Sequence, residues 1–212
     1  MGVRVRNKGQ VFLIMAVIFI VILVILRINI NLTEIIQGGR KLEGNFEKDF
    51  FVNVVNELPK VIEISYYQSN NITNNVYNFG NFTRKKMTEK MQEFEFLFVG
   101  SITPRSSGSD TMNVSVVNLL NKPINLTLTL NNTIPPTLNN DNMVDYSSYT
   151  TSFVITQGTH YILTVGYNGT YEENITIVTE SGKSKYVGFF DVTLTGKETT
   201  YKDKFQKSYT LP

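Results

Sequence analysis

The side chains able to do chemistry are few in this chain. His160, the single histidine, lies in Gln157-Gly-Thr-His-Tyr161 just ahead of an apolar–polar alternation. With no cysteine in the chain it has no thiolates with which to build a common zinc site. General-base work would need a nucleophile and an orienting acid that no motif supplies. It reads as a turn or edge residue. No G-x-S-x-G, P-loop or dinucleotide fingerprint occurs. Asn139-Asn-Asp-Asn142 offers oxygen ligands but lacks the regular acidic spacing of a calcium loop, so it reads as a turn. The expectation is a protein with no catalytic residue, no metal and no cofactor.

The one chemistry the sequence does advertise is modification. N-x-[ST] sequons begin at Asn31, Asn71, Asn81, Asn113, Asn125, Asn131, Asn168 and Asn174, about twice the number that random placement of 23 asparagines among 36 serines and threonines would give. In a strand such as the one through Asn125 the asparagine falls on the polar face, where a glycan is tolerated. A polar, asparagine-rich surface accounts for the same residues without modification.

Two periodicities show what must position these residues. From Phe94 the period is two. Phe94, Phe96 and Phe98 alternate with Glu95 and Leu97; Ile124, Leu126, Leu128 and Leu130 alternate with Asn125, Thr127 and Thr129. Tyr161, Leu163, Val165 and Tyr167 repeat the pattern, and Asn168-Gly169 then predicts a type I′ hairpin turn. Further strands are expected over 111–120, 151–155, 171–178 and 186–195, with a last one ending near Leu211. Turns are expected at 106–110, 121–123, 131–142 and 181–182. About eight short strands in 94–212 predict a mainly antiparallel β-sandwich head.

Before the strands, the pattern is helical. Leu42, Phe46, Phe50, Val54 and Leu58 recur every four residues, with Phe51, Val55 and Ile62 on an adjoining face, and Pro59 should start a new turn or kink the helix. A second short helix is expected over 84–93, after a polar loop at 69–75. Its basic run Arg84-Lys85-Lys86 reads as a solvated face. Residues 31–93 are thus expected to be linking helices and a loop, with Gly38-Gly39 as a break.

The amino-terminal end is of another kind. Residues 11–26, opening on Val11 and Phe12, passing Ile18 and closing on Leu26, are sixteen apolar residues without interruption. As a helix they span about 24 Å, close to a hydrocarbon layer of about 30 Å once flanking residues are counted. Arg4, Arg6 and Lys8 put +3 in the first nine residues and leave −1 on the rest of a chain whose net charge is +2. By the positive-inside rule, residues 1–9 are a cytoplasmic basic leader, 10–30 a membrane helix and the remainder lies outside the cell. No basic patch is left over to hold phosphates, so no nucleic-acid partner is expected. No small-residue cleavage site follows the helix, so its removal as a secretory signal is not expected.

Lys8-Gly9-Gln10, abutting the apolar run, resembles the processing site of archaeal type IV pilin-like proteins, which carry class III signal peptides and include archaellins. The resemblance implies that a prepilin peptidase cuts between Gly9 and Gln10 and leaves the helix on the mature subunit. It also implies that such helices pack as the core of a filament, and that the head is an immunoglobulin-like sandwich. Ile14 stands where bacterial pilins carry a glutamate, which favours the archaeal members. The expected function is a structural pilin-like subunit, a major or a minor one, with membrane, peptidase and other subunits as partners. The alternative is an uncleaved, single-pass membrane-anchored adhesin or accessory binding protein.

Overall fold

The computed structural model describes residues 18–25, 27, 46–67, 71–105, 108–133, 137–169, 171–197 and 199–211. The chain divides into two compact units, Met1–Glu47 and Lys48–Pro212. Within the first, residues 18–25 are helical and all eight apolar side chains are between 48% and 63% exposed. Among the described residues no helix is long and apolar enough to cross a membrane. The rest of the 11–26 run, including Val11, Phe12 and Leu26, lies outside the described residues, as do the expected cleavage residues Lys8, Gly9 and Gln10.

Residues 46–67 form helix α1, unbroken across Pro59. Its buried line is Phe51, Val54, Leu58 and Ile62; Phe50 is half-buried and Phe46 is exposed. The expected every-fourth-residue stripe therefore fails at its amino end. At about 100° per residue a strict four-residue repeat drifts by about 40° per step, so only a mixture of three- and four-residue steps stays on one face. Leu42 lies outside the described residues.

Helix α2 covers Ile72–Thr88, where a loop and then a later helix were expected. Asn71 caps it, its side chain accepting from the Asn74 N–H, and Ile72, Val76, Gly80, Thr83 and Met87 form its buried face. Of the asparagines that made 69–75 look like a loop, Asn71 is the cap, Asn74 is exposed and Asn75 is half-buried, while Asn70 lies outside the described residues. Gly80 permits close approach to the sheet: an added Cβ would lie 2.7 Å from Leu119 and 2.9 Å from Phe96.

Among the described residues nine strands follow: β1 (Glu93–Thr103), β2 (Ser109–Leu119), β3 (Ile124–Leu130), β4 (Thr137–Met143), β5 (Ser147–Thr156), β6 (His160–Tyr167), β7 (Tyr171–Val178), β8 (Ser184–Thr195) and β9 (Thr200–Leu211). They make two antiparallel sheets, ordered β5-β2-β1-β8-β9 and β4-β3-β6-β7. One core lies between the sheets, where Leu97, Val99, Val114 and Phe189 of the larger sheet meet Leu126, Leu128, Leu163 and Val165 of the smaller. A second core lies on the other face of the larger sheet, where Phe94, Phe96, Phe98 and Phe190 are covered by Leu58 and Ile62 of α1 and Val76 and Met87 of α2. Residues 48–93, read from the sequence as linkers, thus fold in the same compact unit as the strands. Strands β1 and β8 are buried on both faces, which explains why their sequences alternate apolar with apolar.

The sequence missed strand β4. Asn139-Asn-Asp-Asn142 lies in an edge strand, which needs a ladder on one side only and so tolerates poor strand formers. Its pairing slips opposite Asn125, where Ile124 faces Met143 but Leu126 faces Asn140. The Asn125 Oδ1 accepts from the Asn142 N–H across this irregularity. Asn168 and Gly169 both have positive φ, as a type I′ turn requires, yet Tyr167 pairs with Tyr171, so the connection has three residues rather than two.

Candidate functional site

The outer face of the larger sheet changes character along the strands. One rung, Val117, Phe98, Phe190 and Phe205 across β2, β1, β8 and β9, is apolar, with Phe190 and Phe205 stacked at 4.7 Å. The next rung, Thr150, Ser115, Gly100 and Gly188, is small, and the one after it places Asn113, Ile102 and Tyr186 side by side. Where large side chains give way to small ones the sheet surface drops, and the amino end of α2 stands over the step. The result is a cleft of about 510 Å³.

Gly100 makes the floor. A Cβ there would sit 2.1 Å from the Tyr186 hydroxyl oxygen, so the tyrosine occupies the space a side chain would have taken. Tyr186 is 4% exposed and lines the cleft. Burial, with Tyr209 beside it, pushes its pKa well above the usual phenol value, so it remains a protonated donor.

The rim is aromatic and braced. Arg84 of α2 donates from Nη1 to both oxygens of Asp145, at 3.2 and 3.0 Å, and its guanidinium lies 3.9 Å from the centre of the Tyr146 ring. Arg84 is therefore half-buried in a defined pair rather than on a solvated face. Asp145 also accepts the Asn121 N–H at 3.2 Å. Tyr146 takes φ +58°, a left-handed conformation that is uncommon for a bulky residue and is often found where a side chain has been aimed. Tyr77 of α2 lines the cleft beside it. On the floor, Ser115 and Thr150 share a hydrogen bond at 3.1 Å, and Ser152 donates to Asn113 Oδ1 at 2.7 Å.

The sequons fall unevenly around this geometry. Asn71-Ile72-Thr73 and Asn113-Val114-Ser115 both contribute their asparagine and hydroxyl residue to the cleft. Asn125, Asn168 and Asn174 are exposed on the smaller sheet, and Asn131 is half-buried at the end of β3. In Asn71, Asn113, Asn125, Asn131, Asn168 and Asn174 the Oδ1 accepts a hydrogen bond. Glycan attachment takes Nδ2, so these bonds are compatible with it. At Asn81, inside α2, Oδ1 is buried without a partner and Thr83 is buried. Asn31 lies outside the described residues.

His160 is exposed at the first position of β6, and among the described residues no cluster of histidine and acidic side chains is fit to hold a metal. A second polar cluster sits between the sheets. Tyr167 donates to the buried Asp191 at 3.0 Å, and Lys204 bridges Asp191 and Glu173. Burial pulls the Lys204 pKa down, but the two carboxylates outweigh it and leave it raised. Its charges are mutually satisfied, and it reads as a tie between β9 and the smaller sheet. The chain matches no family model, no curated protein and no solved structure. The sequence did not single out Gly100, Tyr146 or Tyr186. Gly100 within a run of large apolar residues was the one available signal, since glycine inside a strand marks a close approach.

Proposed function

We propose that the chain is a structural, pilin-like subunit whose amino-terminal helix joins a membrane-derived filament or pseudofilament and whose head faces the outside. The observation that carries this reading is the helix of residues 18–25, apolar on every face and exposed on every face. An all-round apolar helix is stable only inside something else, lipid or other copies of itself. Covering eight such side chains is worth about 12–24 kcal/mol at ~1.5–3 kcal/mol each, more than a near-neutral head surface offers. The basic leader and Lys8-Gly9-Gln10 support a cytoplasmic start and processing before assembly.

The immunoglobulin-like head implied by the resemblance has support from connectivity. Strands β1, β2 and β5 share one sheet, β4, β3, β6 and β7 form the other, and the chain crosses between sheets from β2 to β3 and from β5 to β6. That is the Greek-key path of such sandwiches, here with β8 and β9 added beside β1. A second reading, an uncleaved membrane-anchored binding protein, is favoured by the cleft around Tyr186.

Ile18→Lys separates the two. A charge at mid-helix costs about 2.5–3.5 kcal/mol on insertion scales, so membrane insertion is checked first. The inserted variant should form no filaments by electron microscopy while its head keeps its β-sheet circular dichroism. Filaments from the inserted variant, or wild type seen only as anchored monomers, would hand the case to the binding-protein reading.

A further inference from the structure

We propose that the Tyr186 cleft is a binding site for a neutral, polyhydroxylated ligand, a hexopyranose sugar. The inference is independent of the filament reading, since it concerns only the head.

The lining selects the ligand by what it contains. Its polar groups are side-chain amides and hydroxyls, each with donor and acceptor capacity, as every sugar hydroxyl has. Among the described residues no carboxylate or ammonium lines it, and the Arg84 guanidinium over Tyr146 is engaged by Asp145. A charged ligand would lose its hydration without a counter-charge. An apolar ligand would displace water from Asn113, Ser115, Thr150 and Tyr186 and offer nothing to the donor and acceptor capacity that their bonds to one another leave over. A pyranose satisfies both constraints, with hydroxyls toward the floor and an apolar C–H face toward Tyr77 or Tyr146.

Three features fit a built site. Tyr186, only 4% exposed, lines the cleft and brings its protonated hydroxyl to it. Gly100 provides the space for it, since any side chain there would collide with that oxygen. Tyr146 is held in a left-handed backbone conformation under the Arg84 guanidinium. The volume of about 510 Å³ falls in the usual range for small-molecule sites.

The sugar has two possible sources: a saccharide from outside the chain, or a glycan carried by this chain at Asn71 or Asn113, whose sequons line the cleft. The test uses the full chain in detergent micelles, made once in a host without N-glycosylation and once as native protein. Methyl glycosides of glucose, mannose, galactose and N-acetylglucosamine are titrated by saturation-transfer NMR, with N-acetylneuraminic acid as the charged comparison. The unglycosylated chain should bind at least one neutral glycoside and reject the charged sugar. If native protein also binds, the source is external; if only the unglycosylated chain binds, the chain's own glycan fills the cleft. Tyr186→Phe should weaken binding about tenfold, the equivalent of one well-made hydrogen bond, and leave the unfolding midpoint unchanged. The proposal is overturned if the unglycosylated chain binds none of the neutral glycosides, or takes the charged sugar equally well. It is overturned too if Tyr186→Phe binds as wild type does, or if that variant's midpoint falls by several degrees.

Discussion

Leu58→Ala tests whether α1 belongs to the head or is lent to a neighbouring subunit. Leu58 is fully buried in the core between α1, α2 and the larger sheet. Truncation removes three carbons, about 2.4 kcal/mol at ~0.8 kcal/mol each, and leaves a cavity whose cost brings Leu→Ala changes to about 2.7–5 kcal/mol. Alanine's slightly better helix propensity returns only a few tenths of a kcal/mol. A loss of about 3–4 kcal/mol is therefore expected, equivalent to roughly 6–16 °C in Tm for a unit of this size. The assay is urea unfolding of protein beginning at Leu42, followed by far-UV circular dichroism, with an unchanged m-value taken to mean that the native and unfolded states keep their compactness. Ile64→Ala, on the exposed side of the same helix, is the control and should change stability by less than about 0.5 kcal/mol. If Leu58→Ala costs no more than Ile64→Ala, α1 does not pack on its own sheet and is instead an interface open in the monomer.

Asn118→Ala should cost about 2–4 kcal/mol by the same measurement, because the fully buried amide donates to the carbonyls of Lys122, Met143 and Val144, each at 3.1 Å, and accepts the Leu120 N–H. Asn118→Asp should be no milder, since it keeps the acceptor and loses the donors. Lys183 and Lys185 hold the Glu180 carboxyl down to about 2 from its usual 4.5. A depressed carboxylate favours folding fully above pH 4.5 and loses that contribution as pH falls toward 2. Thermal midpoints of Glu180→Gln should accordingly fall less steeply than wild type between pH 4.5 and 2; identical slopes would show that Glu180 is as well solvated folded as unfolded.

Much of the fold was legible because burial leaves a period in the sequence. The strand through Leu126, Leu128 and Leu130 alternates because only one of its faces meets the core, and the sequence placed it accurately. Where both faces are buried the alternation disappears, and only Phe94, Phe96 and Phe98 opposite Leu97 and Val99 hinted that the larger sheet carries a layer on each side. Helix α2 was misplaced because its inward face uses Gly80 and Thr83 as well as Ile72 and Val76, so no apolar stripe announces it. Edge strand β4 was read as a turn because composition, not tertiary pairing, was all the sequence offered. The cleft was illegible for a related reason. Tyr186, Gly100 and Ser115 meet through strand register, Gly100 facing Ser115 on one side and Gly188 on the other, and no spacing along the chain encodes that juxtaposition.

In the proposed filament reading, the exposed apolar helix is delivered to an assembly by processing at the cytoplasmic edge of the membrane. The most direct measurement is the intact mass and amino-terminal peptide of the mature protein isolated from its native host. The expected result is a chain beginning at Gln10, and a Gly9→Val variant that retains the residues before it. A native chain that still begins at Met1, or has lost only Met1, would contradict the filament reading and leave an uncleaved anchor.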